Sequence, residues 1–344
     1  MANIRDVARQ AGVSISSVSN LLNNRLGQMS KTTREKIEHA IATLNYRPAL
    51  AAKGDEKSPT EIIGLMVPSI INPSFSALVE EINLAARALE HRVVLGNVNR
   101  HEDEERAFIN DMLKLGVSGM IVAASDVRKT HFIQAAERGM AIVSYDNRFT
   151  EMMAAESRLF DSVSMDNMAA GHLAASHLLQ RGCRNIVFAT ESTLTLSRSH
   201  KIAGFKAALN QYNLPREGSL LEGTARHEYG DSEMYELGLS LADTLLSLEI
   251  CPDGVVAIND ALAIGLIAGL RQAKIHIPQQ ISLVGIDNIS LSALASPGLT
   301  SVRPPLAKMA GLMVQRLIAR MNNAALPVDE FLFPPELVIR QSVR

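Results

Sequence analysis

From Ile62 onward the chain repeats one pattern, and that pattern restricts the fold more than anything else in the sequence. Short, nearly continuous apolar runs alternate with longer amphipathic stretches. The runs are IIGLMVP (62–68), RVVLGN (92–97), GMIVAA (119–124), AIVSYD (141–146), NIVFAT (185–190), GVVAIND (254–260) and ISLVGID (281–287). Between them lie helical segments such as SFSALVEEINLAARALE and DNMAAGHLAASHLLQRG. Strands that are apolar on both faces must be covered on both faces, so alternating βα units of this kind predict parallel sheets sandwiched between helices. In such folds ligands collect beyond the carboxyl ends of the strands. The glycines of a dinucleotide fingerprint or a phosphate-binding P-loop do not occur, which leaves those two readings without support.

The residues that follow the strands are polar with unusual regularity. They comprise Asn72 to Phe75, Asn97, Ser125, Asp146 with Arg148, Asp166, Asn259 with Asp260, and Asp287. Each taken alone reads as a helix cap or turn residue. Together they suit a small, hydroxyl-rich ligand: carboxylates and amides pair with vicinal hydroxyls, and an aromatic such as Phe75 covers an apolar ring face. The cluster SRSHK (197–201) is basic enough for an acidic or phosphorylated ligand, although it also fits a helix start.

The residues before this pattern differ in kind. The whole chain of 344 residues carries a net charge of −2, yet residues 1–54 hold eight basic and three acidic groups, a net +5. A basic head on a mildly acidic body implies a polyanionic partner for the head alone. IRDVARQA (4–11) reads as a short helix, Gly12 as a turn with positive φ, and Ser14 as the N-cap of a second helix over 14–23. That second helix buries Val18, Leu21 and Leu22 and exposes Ile15, Ser16 and Asn20. Ala8 is small where the two helices cross, and Val18 fills the space beneath. A third helix runs from about Ser30 to Leu44, with Ile37, Ala40, Ile41 and Leu44 at helical spacing. Three short helices with a tight glycine turn predict a helix-turn-helix module.

Other function classes recede on composition. No apolar run is long enough to span a bilayer, so no membrane association is expected. The opening MANIRDVARQ is mixed in charge and argues against secretion. Cys183 and Cys251 show no metal-ligand spacing and read as reduced thiols of a cytoplasmic protein. No metal, cofactor or catalytic residue is expected.

The head sequence IRDVARQAGVSISSVSNLLNN, followed by TREKIEHAIATLNYRP, resembles the DNA-binding head of the lactose/purine repressor (LacI-type) family. The resemblance continues through GLMVPSIINPSF, GVSGMIVAA, SMDNMAAGHLAASHLLQRGCRNI, AINDALAIG, SLVGIDNI, PGLTSVRPP and LFPPELVIRQS, nearly the whole chain. It implies that the second helix enters the major groove of double-stranded DNA. Ile15, Ser16 and Asn20 would then lie at the base edges, Ser17, Ser19 and Asn23 would lie toward phosphates, and Ser14, Arg47 and Lys53 would add DNA contacts. Asn20 stands where the family usually has arginine, so an adenine in place of a guanine is expected opposite it. The resemblance also implies a periplasmic-binding-protein-like core of two parallel-sheet subdomains crossed three times by the chain, with a small-molecule effector between them. Phe75, Asp146, Lys201, Asn259 and Asp287 carry over as effector residues, joined by Arg148 and by Arg198, one turn before Lys201. Lys201 replaces a usual arginine and gives up its bidentate geometry. In the family, the stretch after YRP ends in a leucine that wedges into the minor groove. Here Asp55 falls at that position, preceded by Gly54, and Leu50 is the alternative wedge.

The expected organisation is an all-α helix-turn-helix head over 1–48, a linker over 49–60 and an α/β core over 61–344. Within the core, one subdomain is expected over about 61–162 and 304–327, and the other over about 163–303 and 328–344. The chain ends without leucine heptads, so a dimer on a near-palindromic operator is expected. The functional expectation is a cytoplasmic, nucleoid-associated repressor of a carbohydrate-utilisation operon with a sugar-like effector. A transport-type sugar-binding protein and a sugar-modifying enzyme using Asp146, Asp166 and Asp287 as acid and base are the competing readings.

Overall fold

A computed structural model describes residues 4–22, 30–44, 61–123, 126–149, 158–192, 195–215, 219–224 and 232–344. The chain divides into two compact units, Met1–Pro59 and Thr60–Arg344.

In the first unit, helix α1 (Ile4–Ala11) packs against α2 (Ile15–Leu22) and α3 (Lys31–Thr43). Gly12 sits at φ +64°, the Val13 N–H donates to the Ala8 carbonyl at 3.0 Å, and the Gly12 N–H donates to Arg9 at 3.3 Å. This pair of bonds closes α1 with a left-handed cap that only glycine adopts cheaply. Ser14 caps α2, its Oγ accepting from the Ser17 N–H at 3.2 Å, and Ser30 caps α3 through the Thr33 N–H at 3.1 Å. Val7, Ala8, Ala11, Val18, Ile37 and Ala40 form the small core.

The second unit holds two six-stranded sheets among the described residues. The first is built from β1 (Glu61–Val67), β2 (His91–Asn97), β3 (Gly119–Val122), β4 (Ala141–Tyr145), β5 (Asp161–Met165) and β11 (Glu330–Phe333). Its order is β2-β1-β3-β4-β5-β11, parallel throughout. The second contains β6 (Ile186–Glu191), β7 (Leu220–Gly223), β8 (Gly254–Ala257), β9 (Ser282–Ile286), β10 (Thr300–Arg303) and β12 (Glu336–Val338), in the order β7-β6-β8-β9-β10-β12. All its pairs are parallel except the edge strand β12, which runs antiparallel to β10. In each sheet the chain starts one strand in from the edge, winds outward to β2 or β7, then reverses to the other side. The reversal creates a switch point between β1 and β3 in one sheet and between β6 and β8 in the other, where helices diverge and a crevice opens.

Two expected subdomain boundaries move. The boundary at 162 would cut β5, and β11 lies in the first sheet, paired with β5 from Glu330↔Ser162 to Phe333↔Met165. The chain therefore changes sheets after Met165, before Leu306, and between Phe333 and Glu336. Helix α12 (Leu306–Asn322) packs on β3, β4 and β5. Arg316 and Arg320 on α12 hold the fully buried Asp161 at 2.8 and 3.5 Å, which fixes the start of β5 against that helix.

Helices α7 (Asn167–Gln180) and α8 (Leu196–Gln211) cross in near backbone contact over the second sheet. A Cβ at Gly171 would run into the Lys201 carbonyl, and one at Gly204 into the Met168 carbonyl. Glycine at both crossings seats α8, and with it Arg198 and Lys201, at a fixed height. Among the described residues no helix is long and apolar enough to cross a membrane.

Candidate functional site

Each unit carries one candidate site. On the head, Ser14, Ile15, Ser16 and Asn20 are exposed, and Ile15 leaves 46% of its surface open. Ser17 and Ser19 are half-buried. The Ser14 hydroxyl lies 2.7 Å from that of Ser16 and 2.9 Å from that of Ser17, so the start of α2 carries a linked set of hydroxyls. The helix has no acidic residue in its first turn, which leaves its positive end unopposed toward phosphate. An exposed isoleucine beside polar residues suits thymine methyls and base edges rather than an internal packing face. Asn23, Arg47, Lys53, Gly54, Asp55 and Leu50 lie outside the described residues.

The second unit contains a cleft of about 140 Å³ at the carboxyl ends of both sheets. At about 30 Å³ per water in the liquid it has room for roughly five waters, the scale of one small ligand. Phe75, Asp146, Arg198, Lys201, Asn259 and Asp287 all line it. The first sheet contributes Phe75 from the start of α4 (Pro73–Ala88), a helix capped by Asn72 through the Ser74 N–H at 2.8 Å and begun by Pro73. It also contributes Asp146, immediately after β4 and at φ 60°. The second sheet contributes Asn259 after β8 and Asp287 after β9, the latter at φ 110°. With Arg100 at φ 59°, three non-glycine residues of positive φ line one cavity, strain held in place by the surrounding fold and a feature that concentrates at binding sites.

The electrostatics are almost self-contained. Burial pushes the Asp146 carboxyl above its usual range, opposed by the Lys201 charge and by hydrogen bonds from Asn167 and Ser197. The Asn167 amide donates to Asp146 Oδ1 at 2.7 Å. Lys201 Nζ lies 3.8 Å from Asp287 Oδ1 and 3.4 Å from the Ile258 carbonyl. Arg198 forms an ion pair with Glu191 at the end of β6. The basic run 197–201 is thus matched by carboxylates, and its two lining cations do not by themselves call for an anionic ligand. Burial, with the charges of Asp146 and Asp287, raises the Tyr145 phenol well above its ordinary value and keeps it a neutral donor.

Several strand-end residues serve the fold instead. Arg148 is not among the lining residues; its guanidinium meets Glu330 of β11 at 3.5 Å, beside the Phe149 N–H donating to the same carboxylate at 2.7 Å. Asp166 caps α7 through the Ala169 N–H at 2.9 Å. Asn97 accepts from the Ile70 N–H at 3.0 Å. Asp260 turns inward, fully buried, and accepts from Ile289 N–H (3.0 Å), Ser292 Oγ (2.5 Å) and Ser301 Oγ (2.6 Å). Burial and the nearby Asp287 charge push its pKa up to about 7 despite these donors. Asn259 does both jobs: it lines the cleft while its Oδ1 caps α10 (Asp260–Gln272) through the Leu262 N–H at 2.9 Å. Ser125 lies outside the described residues.

The cleft also includes residues that the strand-end pattern did not single out: Arg100, Tyr145, Asn167, Thr195 and Ser197. Asn167 and Tyr145 adjoin named residues and differ from them only by one step along the chain. Thr195 and Ser197 open α8, the Thr195 Oγ1 accepting from the Arg198 N–H at 3.3 Å.

Comparison with known proteins agrees with both halves. Residues 3–49 match "Bacterial regulatory proteins, lacI family", and residues 175–343 match "Periplasmic binding protein-like domain". The HTH-type transcriptional repressor PurR of Vibrio parahaemolyticus is 28% identical over 345 residues, covering 100% of this chain and 99% of its own. The ribose operon repressor of Halalkalibacterium halodurans is 26% identical over 344 residues, covering 100% and 98%. A LacI family transcriptional regulator from Enterococcus faecium, solved with bound ribose, is 27% identical with a TM-score of 0.70, covering 82% of this chain and 98% of its own.

Proposed function

The chain belongs to the lacI family of bacterial regulatory proteins, and from that premise we propose that it is a sequence-specific transcriptional repressor controlled by a carbohydrate in its cleft. One observation carries the proposal: a helix-turn-helix head with an exposed polar face and a hydroxyl-matched cleft at two switch points occur in one chain. The head binds double-stranded DNA through α2, and two copies in a homodimer read the two halves of a near-palindromic operator. Ile15, Ser16 and Asn20 face bases, and Ser14, which caps α2, adds a DNA contact at the start of the helix. Ser17, Ser19, Asn23, Arg47 and Lys53 meet phosphates and flanking contacts. The protein acts in the cytoplasm, on the nucleoid.

In the cleft, Asp146, Asn259 and Asp287 hold the ligand's hydroxyls, and Phe75 covers a ring face. Lys201 orients Asp287, Arg198 is held at the cleft by Glu191, and Arg148 acts from behind through Glu330. The ligand changes DNA affinity only as far as it binds one arrangement of the two sheets better than another. The protein is not proposed to catalyse a reaction. Asp260, whose pKa of about 7 would suit acid–base work, is fully buried and spent on three structural donors.

The test is a mobility shift with genomic fragments from the organism of origin, with and without pentoses, hexoses and their derivatives. The expected result is a salt-sensitive complex on a near-palindromic site that one sugar class weakens or strengthens. A protein that binds no such fragment, or whose complex responds to nucleobases and to no carbohydrate, would overturn the reading.

A further inference from the structure

Among the described residues the cleft lining holds three permanent or near-permanent cations, Arg100, Arg198 and Lys201. Two are matched, Arg198 by Glu191 and Lys201 by Asp287. Arg100 is different. Among the described residues no carboxylate stands within ion-pair distance of its guanidinium, and no acceptor holds it in a hydrogen bond. It belongs to the turn after β2, where Asn99 (φ 47°) and Arg100 (φ 59°) are consecutive left-handed residues with full side chains. L-residues adopt that conformation at a cost, and two in succession persist only where the surroundings impose them. Asn97 helps to impose it, its Nδ2 donating to Asn99 Oδ1 at 3.2 Å, while the Val98 N–H donates to the Val67 carbonyl at 3.1 Å. The fold thus holds Arg100 at the cavity wall in a strained turn, with no carboxylate paired to it among the described residues.

We propose that the effector is a sugar acid, a polyhydroxylated molecule with one carboxylate, and that Arg100 is the residue that selects it. The proposal rests on the carbohydrate-responsive reading above. A planar guanidinium fork matches a carboxylate in a bidentate pair, and such pairs are shorter and stronger than neutral hydrogen bonds. The rest of the lining sets the charge of the partner. Arg198 is matched by Glu191, Lys201 by Asp287, and Asp146 is held by the Asn167 amide, so among the described residues Arg100 is the one lining cation without a carboxylate of its own, and it can take one. A phosphate, with nearly two, would be repelled by those carboxylates with no second open cation to offset them. The hydroxyls of the ligand then fall to Asp146, Asn259 and Asp287.

The experiment is isothermal titration of the full chain, as the parent and as R100Q and R100K, with a panel of three ligand classes. These are the aldonic and uronic acids of the common pentoses and hexoses, the neutral parent sugars, and their monophosphates. The expected result is that a sugar acid binds the parent and outcompetes its neutral counterpart. R100Q then weakens that acid by about 10- to 100-fold, the range for a hydrogen bond to a charged group, and R100K, which keeps the charge without the fork, recovers part of the loss. If neutral sugars bind the parent and R100Q equally well and better than the acids, the inference fails while the carbohydrate-controlled repressor stands. Binding of monophosphates alone also overturns it. If no member of the three classes binds or alters the DNA complex, both readings fall together.

Discussion

The two sheets of the core are built to the same topology but from different materials. Around the first sheet lie seven of the eight buried methionines of the described residues, Met66, Met112, Met120, Met140, Met165, Met309 and Met313, with Met234 alone on the other side. Glycines there face side chains, so a Cβ at Gly64 would meet Met120 Cγ at 3.1 Å, and one at Gly311 of α12 would meet nothing within 4 Å. Around the second sheet the helices meet through glycine and backbone carbonyl. Gly171 and Gly204 do so between α7 and α8, and Gly238 and Gly265 between α9 (Ser232–Leu246) and α10. Unbranched thioether side chains adapt to small displacements, whereas backbone pressed on backbone does not. The comparison teaches that the cleft has one compliant wall and one rigid wall. A ligand held by Asn259, Asp287 and Lys201 on the rigid side can then shift the other side, where β1 leads back toward the head.

The largest effect should come from violating that rigidity. Gly204→Ala places a methyl against the Met168 carbonyl, and Gly171→Ala against the Lys201 carbonyl. Each should cost about 3 kcal/mol, the upper part of the range for overpacking. Gly64→Ala, which meets only a flexible side chain, should stay within about 1 kcal/mol of the parent. Urea midpoints at constant m measure the difference. If Gly64→Ala proves as damaging as Gly204→Ala, the two halves are equally stiff and the contrast is wrong.

Next in size are the cleft side chains themselves. Asp287→Ala and Asn259→Ala should lower effector affinity by about 100-fold, because a rigid wall cannot close over the hydroxyl it leaves unpaired. Phe75→Ala, on the compliant wall, should lose about tenfold. Titration of the three variants with the same ligand ranks them. A larger loss for Phe75→Ala would mean that apolar stacking, not the polar rigid wall, dominates binding.

A pH experiment sharpens the contrast further, because the rigid half also contains Asp260. Its folded pKa of about 7 exceeds the ordinary 3.8, so between those values the folded state holds a proton that the unfolded state has released. Stability from this group is complete below about pH 4 and is lost as pH rises toward 7. Asp260→Asn, which cannot titrate, should therefore flatten the fall in melting temperature across that window. An unchanged slope would assign the pH dependence to other groups.

The same contrast explains what could be read from the sequence. Strands of the rigid half, such as GVVA and SLVGI, carry continuous apolar runs of three or four residues and announce themselves. In the compliant half β5 reads Asp-Ser-Val-Ser-Met, yet all five residues are buried. Its charge is matched by Arg316 and Arg320, more than 150 residues later, and the Ser162 and Ser164 hydroxyls have no partner among the described residues. No local pattern marks such a strand as interior, which is why the sheet boundary falls three residues beyond the expected one. The lining was legible where residues follow strands, as Asp146 and Asp287 do directly and Asn259 does one residue later. Arg100 was not, because its importance lies in what is missing around it. Arg148 and Asp260 show the opposite error: they follow strands, but the first is turned to Glu330 and the second to the core.

The smallest expected effect lies where the compliant half joins the head. Family resemblance places a minor-groove leucine at the position of Asp55, which lies outside the described residues, and Gly54 before it disfavours helix by about 1 kcal/mol relative to alanine. An aspartate is a poor apolar wedge and is repelled by the phosphates that line the groove. If the linker adds little to DNA binding, the effector signal reaching β1 is passed on mainly through the placement of the two heads. Asp55→Leu should then tighten operator binding severalfold and increase the operator bend in a circular-permutation gel assay. The effector should also release the Asp55→Leu complex less completely, because a wedge held in the groove opposes separation of the heads. Should Asp55→Leu bind no better than the parent while Leu50→Ala abolishes binding, the wedge is Leu50 and the linker is an ordinary one in a shifted register.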